Sequence, residues 1–230
     1  MSLDAPIASG TDLEDVIDPR PVLESEKTWQ GLIFDVRRDR VVLGTGEVVV
    51  RDYVEHPGAV LALALREIHG VDHVLLIRQY RHACGSYLWE LPAGLTDIAG
   101  EPPWVAIARE LREEVDLEAA RWEVLVDAYA SPGAFPEAYR VFLARELSHA
   151  PGEPHARTGE EAELQVRWVS LDDAYAAALA GRIHNPGALL GILAAWGSRA
   201  QGWATLRPFD APWPEHPAYR PAAVPPTGPA

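Results

Sequence analysis

The sequence contains one cysteine, Cys84, among its 230 residues. A single thiol excludes an internal disulfide and a cysteine-based structural zinc site, and it is typical of the reducing cytoplasm, where we expect the protein to be found. No apolar run approaches the roughly 20 residues of a membrane-spanning helix, and the N-terminus lacks a basic segment followed by an apolar one. The eight histidines are scattered, so a histidine metal site is not expected.

Positive charge is also scarce, because the formal net charge is −14. Nucleic acids and anionic membranes are bound by clustered Lys and Arg, so neither is expected as a partner. An anionic ligand would have to be received by a few local groups. The length suits one sizeable core with a small appended unit.

Composition and the spacing of apolar residues divide the chain into four segments. Residues 1–28 are acidic and turn-prone and predict a mobile arm. Residues 29–55 hold three short apolar runs, at 32–36, 41–43 and 48–50, which predict a small antiparallel sheet. Residues 56–206 alternate strand-like runs with one charged helix and end in two alanine-rich helices, near 171–180 and 187–198. Residues 207–230 contain eight prolines, which exclude a helix and predict either a disordered end or an extended segment draped on a neighbour. The whole is read as α+β.

The charged helix carries three carboxylates close together. Val105, Ala108, Leu111 and Val115 recur at helical spacing. On such a helix Glu110 and Glu114 lie one turn apart, with Glu113 beside them, and like charges at this spacing repel unless something positive sits among them. Mg²⁺ or Mn²⁺ is a candidate, since hard cations prefer oxygen ligands. The alternative is a solvated helix face whose glutamates pair with Arg109 and Arg112.

The residues before this helix favour the metal site. Gly94, Glu101, Arg109-Glu110-Leu111 and Glu113-Glu114 follow the order of a known pattern, G-x5-E-x7-R-E-U-x-E-E-x-G-U, where U is bulky and aliphatic. The chain therefore resembles the Nudix hydrolase family. It departs in two places: six residues rather than five follow Gly94, and Asp116 replaces the glycine that ends the helix. Asp tolerates the left-handed conformation needed there, so we expect a small stability cost and retained activity.

The resemblance implies an α/β/α sandwich around a mixed sheet, and Mg²⁺-dependent hydrolysis. The strings RQYR and LWELPAG look like the subgroup that cleaves ADP-ribose to AMP and ribose 5-phosphate. In that subgroup the arginine matched by Arg81 contacts the diphosphate, and the carbonyl matched by Ala93 binds metal together with the helix glutamates. Mn²⁺ is expected to substitute for Mg²⁺.

A second subgroup signal is the loop that contains Pro132. Similar enzymes carry a glutamate here as general base, and Glu137 is the only carboxylate of the segment; the alternative is an exposed loop glutamate. Should Glu137 not be the base, the acidic cluster Glu160, Glu161 and Glu163 is the next candidate. Glu113 is assigned to the metal and to catalysis.

Similar enzymes are homodimers whose N-terminal segments reach the substrate. The resemblance therefore implies that Trp29 stacks on adenine and that Arg51 contacts the ribose or diphosphate. A core or interface role for Trp29 remains an alternative. Two other functions also remain open: hydrolysis of another nucleoside diphosphate sugar such as GDP-mannose, and a non-catalytic module that senses ADP-ribose. Intact glutamates at positions 110, 113 and 114 favour catalysis.

Overall fold

The computed structural model describes residue 3, residues 5–157 and residues 163–220. Its N-terminal strands form an antiparallel sheet in the order β1-β2-β3. These strands cover Val22–Gln30 (β1), Asp35–Val42 (β2) and Val48–Glu55 (β3). Every residue of β1 is exposed in the single chain.

The first strand lies earlier than the sequence pattern indicates. It takes up residues 22–28 of the predicted arm, whereas the apolar residues 32–34 form the turn into β2. β1 has apolar residues only near its two ends and charged or small residues between them, and it is held by pairing with β2, including an ion pair between Glu24 and Arg40 at 3.2 Å. Because β1 buries no face of its own, it has no hydrophobic period that a sequence reading could detect.

The remaining strands form one mixed sheet. They are β4 (Ala59–Ile68), β5 (Val71–Arg81), β6 (Ser86–Glu90), β7 (Ala93–Leu95), β8 (Leu117–Tyr129), β9 (Ala138–His149), β10 (Gln165–Ser170) and β11 (Arg207–Pro208). The main path runs β10-β5-β4-β9-β8-β11, while β6 pairs with β5 and β7 pairs with β4. β4 and β9 are parallel, and the other recorded pairs are antiparallel.

Strand β4 lies at the centre and is buried on both faces. Val60, Ala62 and Ala64 pack towards one core, and Leu61 and Leu63 towards the other. The first core is covered by α1 (Pro103–Val115), the second by α2 (Leu171–Leu179) and α3 (Pro186–Ala200). The predicted α/β/α sandwich is therefore confirmed. In the described parts of the chain, no helix is long and apolar enough to cross a membrane.

The buried face of helix α1 coincides only in part with the apolar residues that predict the helix, since Leu111 belongs to both sets. Its buried residues are Pro103, Ala106, Ile107, Leu111 and Glu114, spaced as one face of a 3.6-residue helix. Val105, one of the apolar residues whose spacing predicts the helix, is 44% exposed. A consequence for function is that Glu114 lies on the side of α1 that faces the sheet.

The proline-rich tail follows the extended alternative as far as it is described. Arg207 and Pro208 pair with Val124 and Glu123 at the edge of β8. Residues 209–220 continue across the same chain, and Trp213 is only 2% exposed. Residues 221–230 lie outside the described part of the chain.

Candidate active site

A cavity of about 570 Å³ opens beside β4, β6 and β7. This size lies within the range of small-molecule sites. Three residues predicted as functional line it, although they come from distant parts of the sequence: Arg81 at the end of β5, Ala93 at the start of β7 and Glu137 in the loop before β9. The lining also includes Phe34 from the N-terminal unit.

Arg81 is held by a carboxylate that the sequence analysis did not assign. Its Nε and Nη2 donate to the two carboxylate oxygens of Glu90 at 2.9 and 2.7 Å. Glu90 ends β6 and is 2% exposed, whereas the side chain of Arg81 is 44% exposed. A bidentate pair fixes the plane of the guanidinium. The sequence signal that could have identified Glu90 as the partner of Arg81 is its position directly before the Leu-Pro-Ala-Gly segment, in the string LWELPAG.

Glu137 is half-buried in the wall of the same cavity. Burial raises the pKa of its carboxyl, and the hydrogen bond with Tyr139 and the charge of Arg81 only partly oppose this. Burial and the nearby charges of Glu137 and Glu90 raise the pKa of Tyr139 to about 12, so its phenol stays protonated. A carboxylate with a raised pKa is better matched to accepting a proton near neutral pH.

His56 is a further neighbour of Glu137 that the sequence gave no reason to select. Its Nδ1 accepts the backbone N–H of Gly58 at 3.2 Å and lies 3.3 Å from Oε1 of Glu137. Burial lowers the pKa of His56, so the ring is neutral at pH 7. The contact therefore adds no positive charge that would oppose the raised pKa of Glu137.

The positive group among the α1 carboxylates in the structure is Arg109. Its Nη1 lies 2.7 Å from Glu110 and 3.3 Å from Glu113. The same guanidinium donates to the carboxylate of Glu101 at 3.3 and 3.2 Å. Arg109 thus connects the loop before α1 to two of the three carboxylates predicted to bind the metal.

Glu110 and Glu114 both meet the backbone at the start of β7. Oε2 of Glu114 accepts the N–H of Ala93 at 3.0 Å. A methyl group added at Gly94 would overlap the carboxyl of Glu110, so glycine is needed for this approach. The two carboxylates and the backbone at residues 93–94 therefore share one small volume.

These groups fit a hard divalent cation by their donor chemistry, since all their side-chain donors are oxygens. Within the described ranges there is no cluster of three or more His, Cys, Asp or Glu side chains arranged to hold a metal. Mg²⁺ does not require one, because it is usually held by one or two carboxylates, waters and substrate phosphates.

Two predicted substrate residues do not line this cavity in the single chain. Trp29, in β1, is 53% exposed and lies 5.9 Å from the ring of Phe34. Arg51, in β3, is exposed and donates to the carbonyl of Val50. Of the alternative bases, Glu160 and Glu161 lie outside the described residues. Glu163 accepts the hydroxyl of Tyr87 at 3.2 Å.

Asp116 ends α1 in the left-handed conformation expected there, with φ 55° and ψ 37°. Its Oδ1 accepts the backbone N–H of His155 at 2.9 Å, and Oδ2 pairs with Arg157. Burial alone would raise the pKa of Asp116, but the His155 N–H and Arg157 outweigh it and the pKa is lowered. Unlike glycine, Asp116 thus ties the helix end to residues 155–157.

Comparison with known proteins gives a consistent result. The NUDIX domain model matches residues 55–188. The ADP-ribose pyrophosphatase of Mycobacterium tuberculosis is 43% identical over 195 residues, which is 85% of this chain and 91% of that protein. The ADP-ribose pyrophosphatase of Bacillus subtilis is 32% identical over 66% of this chain and 79% of its own. A crystal structure of an ADP compounds hydrolase superposes with a TM-score of 0.60 at 24% identity, covering 82% of this chain and 99% of that one.

Proposed function

The chain belongs to the Nudix family, and from that premise we propose that it hydrolyses ADP-ribose to AMP and ribose 5-phosphate with the help of Mg²⁺, for which Mn²⁺ substitutes. The observation that carries the proposal is the single cavity that gathers Arg81, Ala93 and Glu137 next to the α1 carboxylates. Relatives named ADP-ribose pyrophosphatase at 43% and 32% identity support the choice of substrate.

Glu110 and Glu114, with the carbonyl of Ala93 and with Glu113, would hold the metal. A divalent cation bound there would lower the pKa of a bound water and neutralise charge on the diphosphate oxygens. The need for such help is electrostatic, because Glu90, Glu137 and the α1 carboxylates make this region acidic and the substrate is an anion.

Arg81 would orient the diphosphate. Glu90 fixes its guanidinium by two hydrogen bonds, so little side-chain freedom remains to be lost when a phosphate binds. Glu137 would then accept the proton of the attacking water. Its burial in the cavity wall and its raised pKa support that role.

We also propose that the protein is a homodimer. All of β1 is exposed, and Val22, Leu23 and Trp29 are among its residues, so a sheet of three strands leaves an apolar surface without cover. A second copy would cover it, and Trp29 and Arg51 would act on substrate at that interface. Light scattering should return a mass near twice 25.2 kDa; a monomeric mass at micromolar concentration would contradict this.

The proposed activity is tested with purified protein, Mg²⁺ and a panel of ADP-ribose, GDP-mannose and other nucleoside diphosphate sugars. We expect the highest kcat/KM for ADP-ribose, loss of turnover in EDTA and a strong defect in Glu114→Gln. A higher kcat/KM for another compound of the panel would identify that compound as the substrate in place of ADP-ribose. Tight binding of ADP-ribose without turnover in Mg²⁺ would favour a sensing module instead.

A further inference from the structure

The segment from Arg207 to Arg220, which we call the strap, lies outside the matched family region at residues 55–188. It leaves the sheet edge at β11 and runs over the core that α1 covers, where Trp213 is buried. Two of its side chains reach the two ends of the loop between β7 and α1, residues 96–102, which we call the box loop.

One end of the strap is anchored by a buried arginine. Arg140 is 1% exposed and makes two hydrogen bonds of 2.8 Å with Asp127. It also donates to the carbonyls of Ala211 and Pro212 at 2.7 and 2.9 Å, and its guanidinium lies 4.8 Å from the ring of Trp213. Removing one partner of a buried charge is costly, so this anchor fixes the course of the strap.

The other end of the strap is a group of three rings. Trp213 and Tyr219 are stacked at 5.6 Å with an interplanar angle of 11°, and His216 lies within 4.8 Å of both. Nδ1 of His216 accepts the N–H of Ala218, so Nε2 carries the proton and donates to the carbonyl of Pro57.

The histidine also meets the first part of the box loop. Its Nε2 lies 2.9 Å from Oγ1 of Thr96. The ring packs so closely on Gly58, which has φ +87°, that an added Cβ would overlap it. Burial lowers the pKa of His216, in keeping with a neutral ring at pH 7.

The last part of the box loop is held by Tyr219. Its hydroxyl donates to the backbone carbonyl of Glu101 at 2.9 Å. The side chain of Glu101 in turn pairs with Arg109, which contacts Glu110 and Glu113. A continuous path of contacts therefore leads from the strap to two of the carboxylates assigned to the metal.

We propose that Tyr219 and His216 are positioning residues: the strap clamps both ends of the box loop and thereby sets, through Glu101 and Arg109, the carboxylates of α1 for metal binding. This inference rests on the proposed function only for the identity of the metal site. The strap also contacts the body of the chain at Arg140 and Tyr129, but the side chains of Tyr219 and His216 reach the box loop itself.

Tyr219→Phe is the sharpest test, because it removes the hydroxyl and keeps the stacked ring. Tyr129→Phe is the matched control, since the hydroxyl of Tyr129 also bonds a carbonyl of the strap, that of Glu215, but not the box loop. Mn²⁺ affinity is measured by electron paramagnetic resonance. Loss of one hydrogen bond should weaken Mn²⁺ binding about fivefold in Tyr219→Phe, while Tyr129→Phe stays within about twofold.

Amide hydrogen exchange gives a second readout. The N–H of Thr96 bonds the carbonyl of Gly58, and the N–H of Glu101 bonds that of Ile98, so both report on closure of the box loop. We expect faster exchange at these two amides in Tyr219→Phe, with the amides of the central strand β4 unchanged.

The histidine is tested by comparing His216→Ala with His216→Gln. The glutamine amide can still donate to the carbonyl of Pro57, so it should recover part of the Mn²⁺ affinity that alanine loses. Unchanged affinity and unchanged exchange in folded Tyr219→Phe would overturn the proposal. Neither readout uses a nucleotide, so a lack of ADP-ribose turnover by the wild type would refute the proposed substrate without altering this result.

Discussion

Replacing Asp116 by glycine restores the residue usual at this place in the family and should nevertheless destabilise the protein. The left-handed backbone costs an L-residue about 1 kcal/mol relative to glycine, and the substitution removes that cost. It also removes the acceptor for the His155 N–H and the ion pair with Arg157. The sequence alone leads to the opposite expectation, a small cost for aspartate.

The structure allows the balance to be worked out. Hydrogen bonds to charged groups contribute about 1.5–3 kcal/mol each, but the side chains of Asp116 and Arg157 are 30% and 27% exposed, so about 2 kcal/mol is reasonable for both contacts together. Glycine lowers the stability by about a further 0.5–1 kcal/mol, because it increases the conformational entropy of the unfolded chain. The net expectation for Asp116→Gly is a loss of about 1.5–2 kcal/mol.

Asp116→Asn is the control that separates these terms. Asparagine tolerates the left-handed conformation and keeps an oxygen for the His155 N–H, but it loses the charge that pairs with Arg157. The free energy of unfolding of Asp116→Asn should be about 0.5–1 kcal/mol below that of the wild type, which places this variant between the wild type and Asp116→Gly. Urea unfolding at pH 7 gives the three free energies, provided that the m-values agree.

The pH dependence follows from the lowered pKa of Asp116. A carboxyl with a depressed folded-state pKa contributes stability that is fully present above its unfolded value of about 3.9 and is lost as pH falls through the folded value. The gap between wild type and Asp116→Asn should therefore be constant from pH 8 to pH 6. If Asp116→Gly equals or exceeds the wild type at pH 7, the contacts with residues 155–157 contribute nothing net and the reasoning fails.

Four further outcomes are expected. Glu137→Gln should lower kcat by about 10² to 10⁴ with little change in KM or metal affinity; full kcat would redirect the search for the base to Glu160, Glu161 and Glu163. Glu114→Gln keeps an acceptor for the Ala93 N–H, and its defect should be partly rescued by higher Mg²⁺ or by Mn²⁺, which a metal titration measures. Because burial raises the pKa of Glu137 above 4.5, kcat should decrease as the pH is lowered, with a midpoint above pH 4.5. The pH–rate profile of Glu137→Gln should lack this decrease. Leu63→Ala, at a fully buried position of β4, should cost about 2–5 kcal/mol in urea unfolding; a loss below 1 kcal/mol would mean that this core is loosely packed.

Local sequence patterns predict much of the secondary structure of this protein. The spacing from Glu101 to Leu117 predicts α1 and its charged face, and the apolar runs of β4, β5, β8 and β9 predict the central sheet, because a residue's burial in a regular element depends on its position in a short period. The two alanine-rich helices were also found close to their predicted places, at Leu171–Leu179 and Pro186–Ala200.

Only the tertiary structure decided which side chains meet. Glu101 beside Arg109, Glu90 beneath Arg81, and His56 beside Glu137 depend on where strands and loops converge, and no short period encodes that. The strap is the extreme case, since His216 and Pro57 are 159 positions apart and Tyr219 and Glu101 are 118 apart. The proline content argues against an α-helix in this segment, which holds one 3₁₀ turn, Pro217–Tyr219. Contacts with the buried Arg140 and the burial of the Trp213 ring determine where it lies, and these join residues far apart in the sequence.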